Sequence, residues 1–374
     1  MSDVPLRVAL LADAGHVNCR QWCEGLSQAG ADVHVLSFRG GNCSGNPVYV
    51  IPPLPHAGKL KYIYSARLVR TLLNEIRPHV LVAYYVTGYG TLARLARCRP
   101  LVQVTSGSDI LRAPRNPLMR KLLRYNLSHA DLVTAWAPHM AEAARALGVL
   151  VDERLFVLPR GIPLRLFSGI KASLPRRDDA PSAVTTRSLT QGYNTNILIE
   201  SIHVLKTRGT AASLTIAGDG PQRKELARQS EDLELSDVVS FAGFVDNNKL
   251  AYLLAQHNLY LSVPDSDGVS ASLLEAMALG LLPIVRDDAS SRYWIDNGVN
   301  GLLLKCTSPE VVAEAVQRAM SDLALRQRAW AMNPQIVRSR ADLHRNSKIF
   351  VEKFKELAVS RGTYDGHANI GFVQ

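Results

Sequence analysis

The stretch at residues 262–285, SVPDSDGVSASLLEAMALGLLPIV, is the most informative part of the sequence. Its pattern predicts the end of a buried strand, a loop of acids and glycine, a helix that begins near Ser270, and a second strand. The first N–H groups of a helix have no partner within the helix, and they attract anions. The sequence therefore predicts an anion site at the residues that lead into this helix, namely Gly268, Val269, Ser270, Ala271 and Ser272.

Two carboxylates flank this predicted anion site. Asp267 lies in the loop, and Glu275 lies 8 residues later in the helix. Eight helical residues span roughly 12 Å, which is close to the reach from the ribose to the hexose of a sugar nucleotide. A carboxylate accepts hydrogen bonds from two hydroxyls at once, so the pair suits a ligand with a diol at each end and a diphosphate between them. The alternative is that Asp267 is a turn residue and Glu275 a surface acid.

Strands and helices alternate along the chain, and the alternation is interrupted once. The interruption is SLPRRDDAPS at residues 173–182, a polar segment with prolines that is typical of a linker. The alternation predicts parallel sheets covered by helices on both faces, and hence the fold class α/β. The predicted parts are an N-terminal domain at 1–168, a linker at 169–182, a C-terminal domain at 183–345, and a helix and tail at 346–374.

Length and composition narrow the class of protein further. The chain has 374 residues, of which 47% are hydrophobic and 20% charged, as in globular proteins, and this excludes a disordered or fibrous chain. The length predicts two domains. No apolar run approaches the roughly 20 residues of a membrane helix, and the first apolar stretch is too short for a signal peptide. The five cysteines are scattered, with no paired CxxC or Cys/His set, so we expect reduced thiols, no zinc site and a cytoplasmic protein.

The net charge of +10 belongs entirely to the first part of the chain. Residues 1–168 include 20 basic and 10 acidic residues, whereas residues 169–374 include 23 of each. The densest basic stretch, at 112–124, has apolar residues at near-helical spacing, which predicts a helix with an apolar stripe beside a cationic face. That face is either a solvated surface or a site for anionic lipid or an anionic acceptor. We expect no nucleic acid, because the sequence has no recognisable nucleic-acid module.

Two shorter motifs have competing interpretations. GYGTLA at 88–93 follows a predicted strand, and Asp109 lies about 20 residues later, as in a dinucleotide-binding fingerprint. That fingerprint belongs in the first strand–helix turn of a domain, so a plain turn is favoured here. Asp265-Ser-Asp267 is a DxD pair of the kind that binds a divalent ion together with a diphosphate. Because it lies within the better-specified pattern at 262–285, we expect no metal.

The pattern at 262–285 resembles the retaining family-4 glycosyltransferases with the GT-B fold, often called glycosyltransferase group 1. Their hallmark is E-x7-E followed by A-M-A-x-G, and this chain has Asp267-x7-Glu275 followed by AMALG. Other segments resemble the family's motifs in the same order along the chain. They are LPRGI at 158–162, TRSL at 186–189, LTIAGDGP at 214–221, FAGF at 241–244 and NGVNG at 297–301.

The resemblance implies two Rossmann-like α/β/α domains that face across a cleft, with a C-terminal helix that returns to the first domain. It implies transfer of a hexose from a nucleotide diphosphate sugar, favouring a UDP-sugar, to an acceptor hydroxyl. The implied mechanism is same-face attack with retention of configuration, without a metal or another cofactor. The implied acceptor is a glycan, a small molecule or a lipid-linked saccharide, the last at the cytoplasmic face of a membrane.

The resemblance also assigns residues to roles. Besides the helix start, the implied donor-binding residues are Gly15, Arg187, Gly218, Asp267 and Glu275. Among them, Glu275 contacts the ribose, Asp267 the transferred sugar and Arg187 the leaving diphosphate. The implied catalytic residues are Arg187, Asp267, His16 and Asp109. For His16 the alternative is a polar residue at a helix start.

The sequence departs from the family pattern in three places. Asp267 replaces a glutamate, and Ser108-Asp109 stands where many members have His-Asp. QGYN at 191–194 has no cation where the family commonly has a phosphate-binding lysine. The alternatives that remain are a nucleotide-sugar epimerase of the same fold and a non-catalytic glycosyltransferase-like subunit. A phosphorylase is disfavoured, because no lysine is placed to hold pyridoxal phosphate near Glu275.

Overall fold

The computed structural model describes residues 4–52, 58–149, 152–170 and 172–365, and its α/β class agrees with the prediction. The chain forms two compact units, one of Met1–Arg160 with Leu343–Gln374 and the other of Gly161–Asp342. The sequence places the corresponding boundaries at 168 and 183, whereas here the residues after 160 belong to the second unit. The reason is packing, since Phe167 and Ala172 lie in the core of that unit.

A seven-stranded parallel sheet forms the centre of the first unit. Its strands are β1 (Arg7–Leu11), β2 (Asp32–Ser37), β3 (Val48–Val50), β4 (Val80–Tyr84), β5 (Leu101–Val104), β6 (Leu132–Ala135) and β7 (Leu155–Val157). Their order across the sheet is β3-β2-β1-β4-β5-β6-β7, and each neighbouring pair is parallel. Because helices cover both faces, β4 and β5 are buried along their whole length, and β4 is a continuous apolar run.

Helices form the connections of the first sheet, except between β2 and β3, which are joined by a loop. They are α1 (Val17–Gln28), α2 (Lys61–Tyr64), α3 (Ala66–Ile76), α4 (Tyr89–Ala96), α5 (Pro117–Ser128) and α6 (Pro138–Arg145). The predicted basic helix corresponds to α5, which begins after Asn116 because the Asn116 side chain accepts hydrogen bonds from two N–H groups of its first turn. Its buried side includes Leu123 and Leu127.

The second unit repeats the plan with a six-stranded sheet. Its strands are β8 (Ser182–Thr185), β9 (Ser213–Ala217), β10 (Val239–Gly243), β11 (Leu259–Ser262), β12 (Leu282–Arg286) and β13 (Leu302–Leu304). Their order is β10-β9-β8-β11-β12-β13, again all parallel. The helices are α7 (Thr195–Thr207), α8 (Arg223–Asp232), α9 (Asn247–Ala255), α10 (Ala271–Ala278), α11 (Ala289–Arg292), α12 (Pro309–Ser321) and α13 (Leu323–Arg340).

The last helix, α14 (Leu343–Ser360), belongs to the first unit, as the predicted fold requires. It packs against α1, where Gly25 permits close approach, because a Cβ at this position would lie 2.3 Å from Ser347 Oγ. Phe350 also contacts Trp22 of α1 edge to face. Among the described residues, the structure has no helix with the length and apolar character that crossing a membrane requires.

Candidate active site

The strand order of the second sheet reverses between β8 and β11, which are direct neighbours. In open α/β sheets, ligands bind beyond the carboxyl ends of the strands at such a reversal. The loop after β8 carries Arg187, and the loop after β11 carries Asp267 and leads into α10. The topology thereby brings together two predicted site residues that are 80 positions apart in the sequence.

Arg187 lies at the centre of this site and is only 9% exposed. Its Nη1 donates to Ser270 Oγ at 2.6 Å and to Ser272 Oγ at 2.9 Å, and its Nη2 donates to Asp267 Oδ2 at 2.5 Å. The guanidinium carbon lies 4.4 Å from the centre of the Tyr193 ring. Burial alone would lower the pKa of Arg187, but the charge of Asp267 raises it, so the guanidinium remains charged.

The start of α10 adds a second positive feature at the same place. Ser270 caps the helix by accepting a hydrogen bond from the Leu273 N–H at 3.2 Å, and the Tyr260 hydroxyl donates to Ser272 Oγ at 2.8 Å. The N-terminal end of a helix carries partial positive charge. Arg187 Nε is buried and has no hydrogen-bond partner among the described residues. An anionic oxygen placed here would therefore meet an unpaired donor as well as the field of the helix.

Gly218 supports Arg187 through the backbone. A Cβ at Gly218 would lie 2.0 Å from the Arg187 carbonyl oxygen, and one at Gly220 would lie 2.4 Å from the Leu189 carbonyl oxygen. The Leu189 N–H also donates to the Asp219 carbonyl at 2.9 Å. The GDGP turn therefore needs glycine because the chain after β8 packs directly on it. Contact of Gly218 with a donor stays a prediction.

The segment without the family's lysine packs on the loop after β11. The Asp265 N–H donates to the Gly192 carbonyl at 2.8 Å, and Asn194 Nδ2 donates to Asp265 Oδ1 at 2.9 Å. Arg286 Nη1 lies 3.7 Å from the same carboxylate oxygen. The two acids of the DxD pair thus have different partners, since Asp267 pairs with Arg187.

Glu275 and the residues that lead into α10 lie in the loop and helix that the pattern at 262–285 predicts, and their roles in binding stay predictions. Glu275 is partly buried on α10, and Gly268 and Val269 lie partly buried in the loop before it. Ser270 and Ser272 are buried, and their hydroxyls contact Arg187. The contacts of Arg187 with these hydroxyls and with the Tyr193 ring, and the contact of Tyr260 with Ser272, were not predicted from the sequence.

In the first unit, Gly15 and His16 follow β1, which is the strand at which that sheet reverses its order. The Gly15 N–H donates to Asp13 Oδ1 at 3.0 Å. His16 caps α1, because its Nδ1 accepts from the Asn18 N–H at 3.2 Å. Partial removal from water lowers the pKa of His16, against the charge of Asp13, which raises it. This geometry is that of a polar residue at a helix start, which was the alternative interpretation of His16. A catalytic role of His16 stays a prediction.

Asp109 lies in a single π-helical turn, Ser108–Arg112, and is 4% exposed. Its Oδ2 accepts from the Val86 N–H at 2.8 Å, and its Oδ1 accepts from Thr87 Oγ1 at 2.6 Å. Burial raises the pKa of Asp109, and these hydrogen bonds oppose that rise. The carboxylate thus holds the turn after β4, and its catalytic role stays a prediction.

That turn contains the GYGTLA motif. A Cβ at Gly90 would lie 2.3 Å from Gln103 Oε1 of β5 and 2.9 Å from the Tyr85 carbonyl oxygen, so the turn is packed too closely for a side chain there. The motif is therefore explained as a tight strand–helix turn.

Two protein families match separate parts of the chain. Residues 168–332 match the family described as glycosyl transferases group 1, and residues 7–136 match the family described as glycosyl transferase 4-like. A GDP-mannose-dependent alpha-(1-6)-phosphatidylinositol monomannoside mannosyltransferase of Mycobacterium tuberculosis is 26% identical over 286 residues, 69% of this chain and 72% of the relative. An N-acetyl-alpha-D-glucosaminyl L-malate synthase of Bacillus anthracis is 22% identical over 285 residues, 74% of this chain and 72% of the relative.

Solved structures resemble the chain over nearly its whole length. Anabaena Alr3699/HepE in complex with UDP and glucose has a TM-score of 0.76 at 18% identity, covering 94% of this chain and 100% of that one. Sucrose-phosphate synthase from Thermosynechococcus elongatus has a TM-score of 0.77 at 17% identity, covering 95% of this chain and 99% of that one. At such identities the likeness shows a shared fold.

Proposed function

The chain belongs to the glycosyltransferases of group 1 and has the GT-B fold, and from this premise we propose that it transfers a hexose from a nucleotide diphosphate sugar to an acceptor hydroxyl. The observation that carries the proposal is the buried Arg187 at the start of α10, with its unpaired Nε. Two positive features converge there, and the Asp267 carboxylate forms an ion pair with the guanidinium. A diphosphate is the kind of anion that such a site attracts.

The proposed reaction breaks the bond between the anomeric carbon and the leaving phosphate. Negative charge then grows on the phosphate oxygen, and a fixed guanidinium stabilises it most at that moment. Hydrogen bonds to Ser270 and Ser272 fix the orientation of the Arg187 guanidinium before the donor binds. Once phosphate oxygens contact the guanidinium, Asp267 is released to accept hydrogen bonds from hydroxyls of the transferred sugar.

We propose same-face attack with retention, and no metal or other cofactor. Arg187 and the N–H groups of α10 supply positive charge of the kind that a divalent ion supplies to a diphosphate elsewhere. The same charges take the role of the phosphate-binding lysine that the family commonly has and that residues 191–194 lack. For the donor we favour a UDP-sugar over a GDP-sugar. Alr3699/HepE was crystallised with UDP and glucose, whereas the mycobacterial relative is named as GDP-mannose-dependent.

Nucleotide binding that depends on Glu275 is the first expected result. We expect one of UDP and GDP to bind in calorimetry, and Glu275→Ala to weaken that binding about 10–100-fold, because hydrogen bonds from ribose hydroxyls to a carboxylate are charge-assisted. Glu314→Ala, which removes an exposed acid from α12, serves as the control and should leave the affinity unchanged. Equal binding by wild type and Glu275→Ala would remove Glu275 from the donor site. Failure of UDP, GDP and their sugars to bind would contradict the proposed donor class.

We propose an anionic, lipid-linked acceptor at the cytoplasmic face of a membrane. The helix α4 packs against α2, α3 and α5. We propose that the exposed residues of α2, α3 and α5, with Leu60 and Arg115 just before α2 and α5, form one region of the first unit. We name this surface the basic face. Its members are Leu60, Ile63, Tyr64, Arg67, Leu68, Arg70, Arg115, Leu118, Arg120 and Lys121. Cationic heads beside exposed apolar side chains suit the boundary of an anionic bilayer.

Salt-sensitive vesicle binding tests the basic face. We expect the protein to float with phosphatidylserine-containing vesicles at low salt and much less at high salt, because exposed charges are screened. Each basic residue contributes about 1 kcal/mol near such a surface, so Arg120→Glu with Lys121→Glu should weaken binding at least about 10-fold. The control is Lys224→Glu with Arg228→Glu, two exposed cations of α8 in the second unit. Absence of flotation at low salt would favour a soluble acceptor.

A further inference from the structure

Three of the five cysteines meet inside the first unit. We name Cys19, Cys23 and Cys43 the thiol cluster. All three are buried, their sulfur atoms lie within 4.8 Å of one another, and the Sγ atoms of Cys19 and Cys23 are 3.9 Å apart. The expectation of scattered thiols is therefore wrong for these three. Cys98 and Cys306 are not part of the cluster.

The fold explains how the cluster forms. Cys19 and Cys23 are four residues apart on α1, so their side chains share one face of that helix. Cys43 lies in the loop between β2 and β3, and its Sγ is 4.0 Å from the Ala14 carbonyl oxygen. Gly41 brings this loop against the chain after β1, because a Cβ at Gly41 would lie 2.3 Å from the Ala14 carbonyl oxygen.

The spacing of the sulfurs is compatible with a metal site. Thiolates about 2.3 Å from one ion have their sulfurs about 3.8 Å apart in tetrahedral and about 4.0 Å apart in trigonal geometry. The sulfurs of Cys19 and Cys23 are 3.9 Å apart, and all three sulfurs lie within 4.8 Å of one another.

We propose that the thiol cluster binds one thiophilic metal ion, Cu⁺ or Zn²⁺, through three cysteine sulfurs. Sulfur ligands select these ions over Mg²⁺ and Ca²⁺, which prefer oxygen. Each sulfur that binds as thiolate loses its proton to solvent, and no electron is transferred. Among the described residues no fourth Cys, His, Asp or Glu joins the group, which favours three-coordinate binding and hence Cu⁺.

The bound ion would tie α1 to the loop that carries Cys43. Both elements lie beside the chain after β1, which continues into Gly15 and His16. The proposed ion therefore stabilises the packing of α1 against this loop in the first unit. It takes no part in sugar transfer, so its test is independent of the proposed function.

Titration with Cd²⁺ under reducing conditions provides the test, because thiolate–Cd²⁺ bonds absorb in the near ultraviolet. We expect the absorption to saturate at one equivalent, with release of protons, and Zn²⁺ or Cu⁺ to displace the probe. Cys43→Ser should weaken Cd²⁺ binding at least about 100-fold, because one of three ligands is lost. Cys306→Ser, which changes the exposed cysteine of the second unit, should leave the titration unchanged.

Three results would overturn the proposal. They are absence of stoichiometric Cd²⁺ binding to the wild type, an unchanged titration in Cys43→Ser, and Cd²⁺ that neither Zn²⁺ nor Cu⁺ displaces. Circular dichroism verifies that Cys43→Ser is folded. Should that variant not fold, Cys19→Ala provides the same comparison, because it removes a different sulfur and leaves the loop between β2 and β3 intact.

Discussion

Replacing Arg187 with alanine is expected to lower kcat by about 10²–10³-fold, the usual loss when one preorganised donor to a developing oxyanion is removed. The substitution removes the buried charge that Ser270, Ser272 and Asp267 hold in place at the start of α10. Because this charge acts on the leaving phosphate, we expect kcat to fall more than nucleotide affinity. The measurement is turnover of the donor selected by calorimetry, by transfer or by hydrolysis, with the nucleotide Kd determined in parallel.

Two further variants test whether catalysis depends on the geometry of the Arg187 guanidinium or only on its positive charge. Arg187→Lys keeps the charge but cannot donate to Ser270 and Asp267 as a planar fork, so we expect kcat between those of wild type and Arg187→Ala. Arg318→Ala removes an exposed arginine from α12 and should leave kcat unchanged. A kcat for Arg187→Ala within about threefold of wild type, with only KM raised, would show uniform binding instead of transition-state stabilisation.

The strand, loop and helix around the candidate site of the second unit were largely predictable, because they lie close together in sequence. The strand end, the loop and the start of α10 occupy one continuous stretch, and local rules of helix capping and hydrophobic periodicity identify them. The partnership of Arg187 with Asp267 depends on β8 lying beside β11, which no local pattern specifies. Family resemblance assigned both residues to the donor, but their ion pair was visible only in the structure.

The helix α13 shows where pattern analysis fails. It spans Leu323–Arg340 and contains Pro334, which removes a backbone donor from the helix interior. Buried residues such as Leu325, Ala329 and Val337 pack one side of α13 against the unit. Packing therefore maintains α13, although the proline and the arginines make its hydrophobic periodicity hard to detect in the sequence.

The first unit was harder to interpret because its groups meet through tertiary contacts. The spacing of Cys19 and Cys23 on α1 was readable from the sequence, but the loop position that adds Cys43 was not. Asp109 resembled a catalytic residue in sequence, and its carboxylate holds the turn after β4 in the structure. In both cases the partners of these residues depend on tertiary contacts, which the sequence pattern does not specify.

Replacing Gly218 with alanine is expected to cost about 3 kcal/mol of stability, at the upper end of overpacking effects. The added Cβ would lie 2.0 Å from the Arg187 carbonyl oxygen, and neither chain is free to move, because the Leu189 N–H donates to Asp219 and the Gln222 N–H donates to Leu189. A loss of this size lowers Tm by about 6–12 °C in a domain of this size. Displacing the Arg187 backbone by about 1 Å should also cost about 100-fold in kcat.

Gly40→Ala provides the matched control, because an added Cβ there meets no heavy atom within 4 Å. Neither Gly40 nor Gly218 has a positive φ, so alanine is sterically allowed by the backbone at both positions and only the neighbouring atoms differ. We expect Tm of Gly40→Ala to stay within about 2 °C of wild type. A Gly218→Ala protein with wild-type Tm and full turnover would show that the turn yields to the new side chain, and that the placement of Arg187 does not depend on close packing against Gly218.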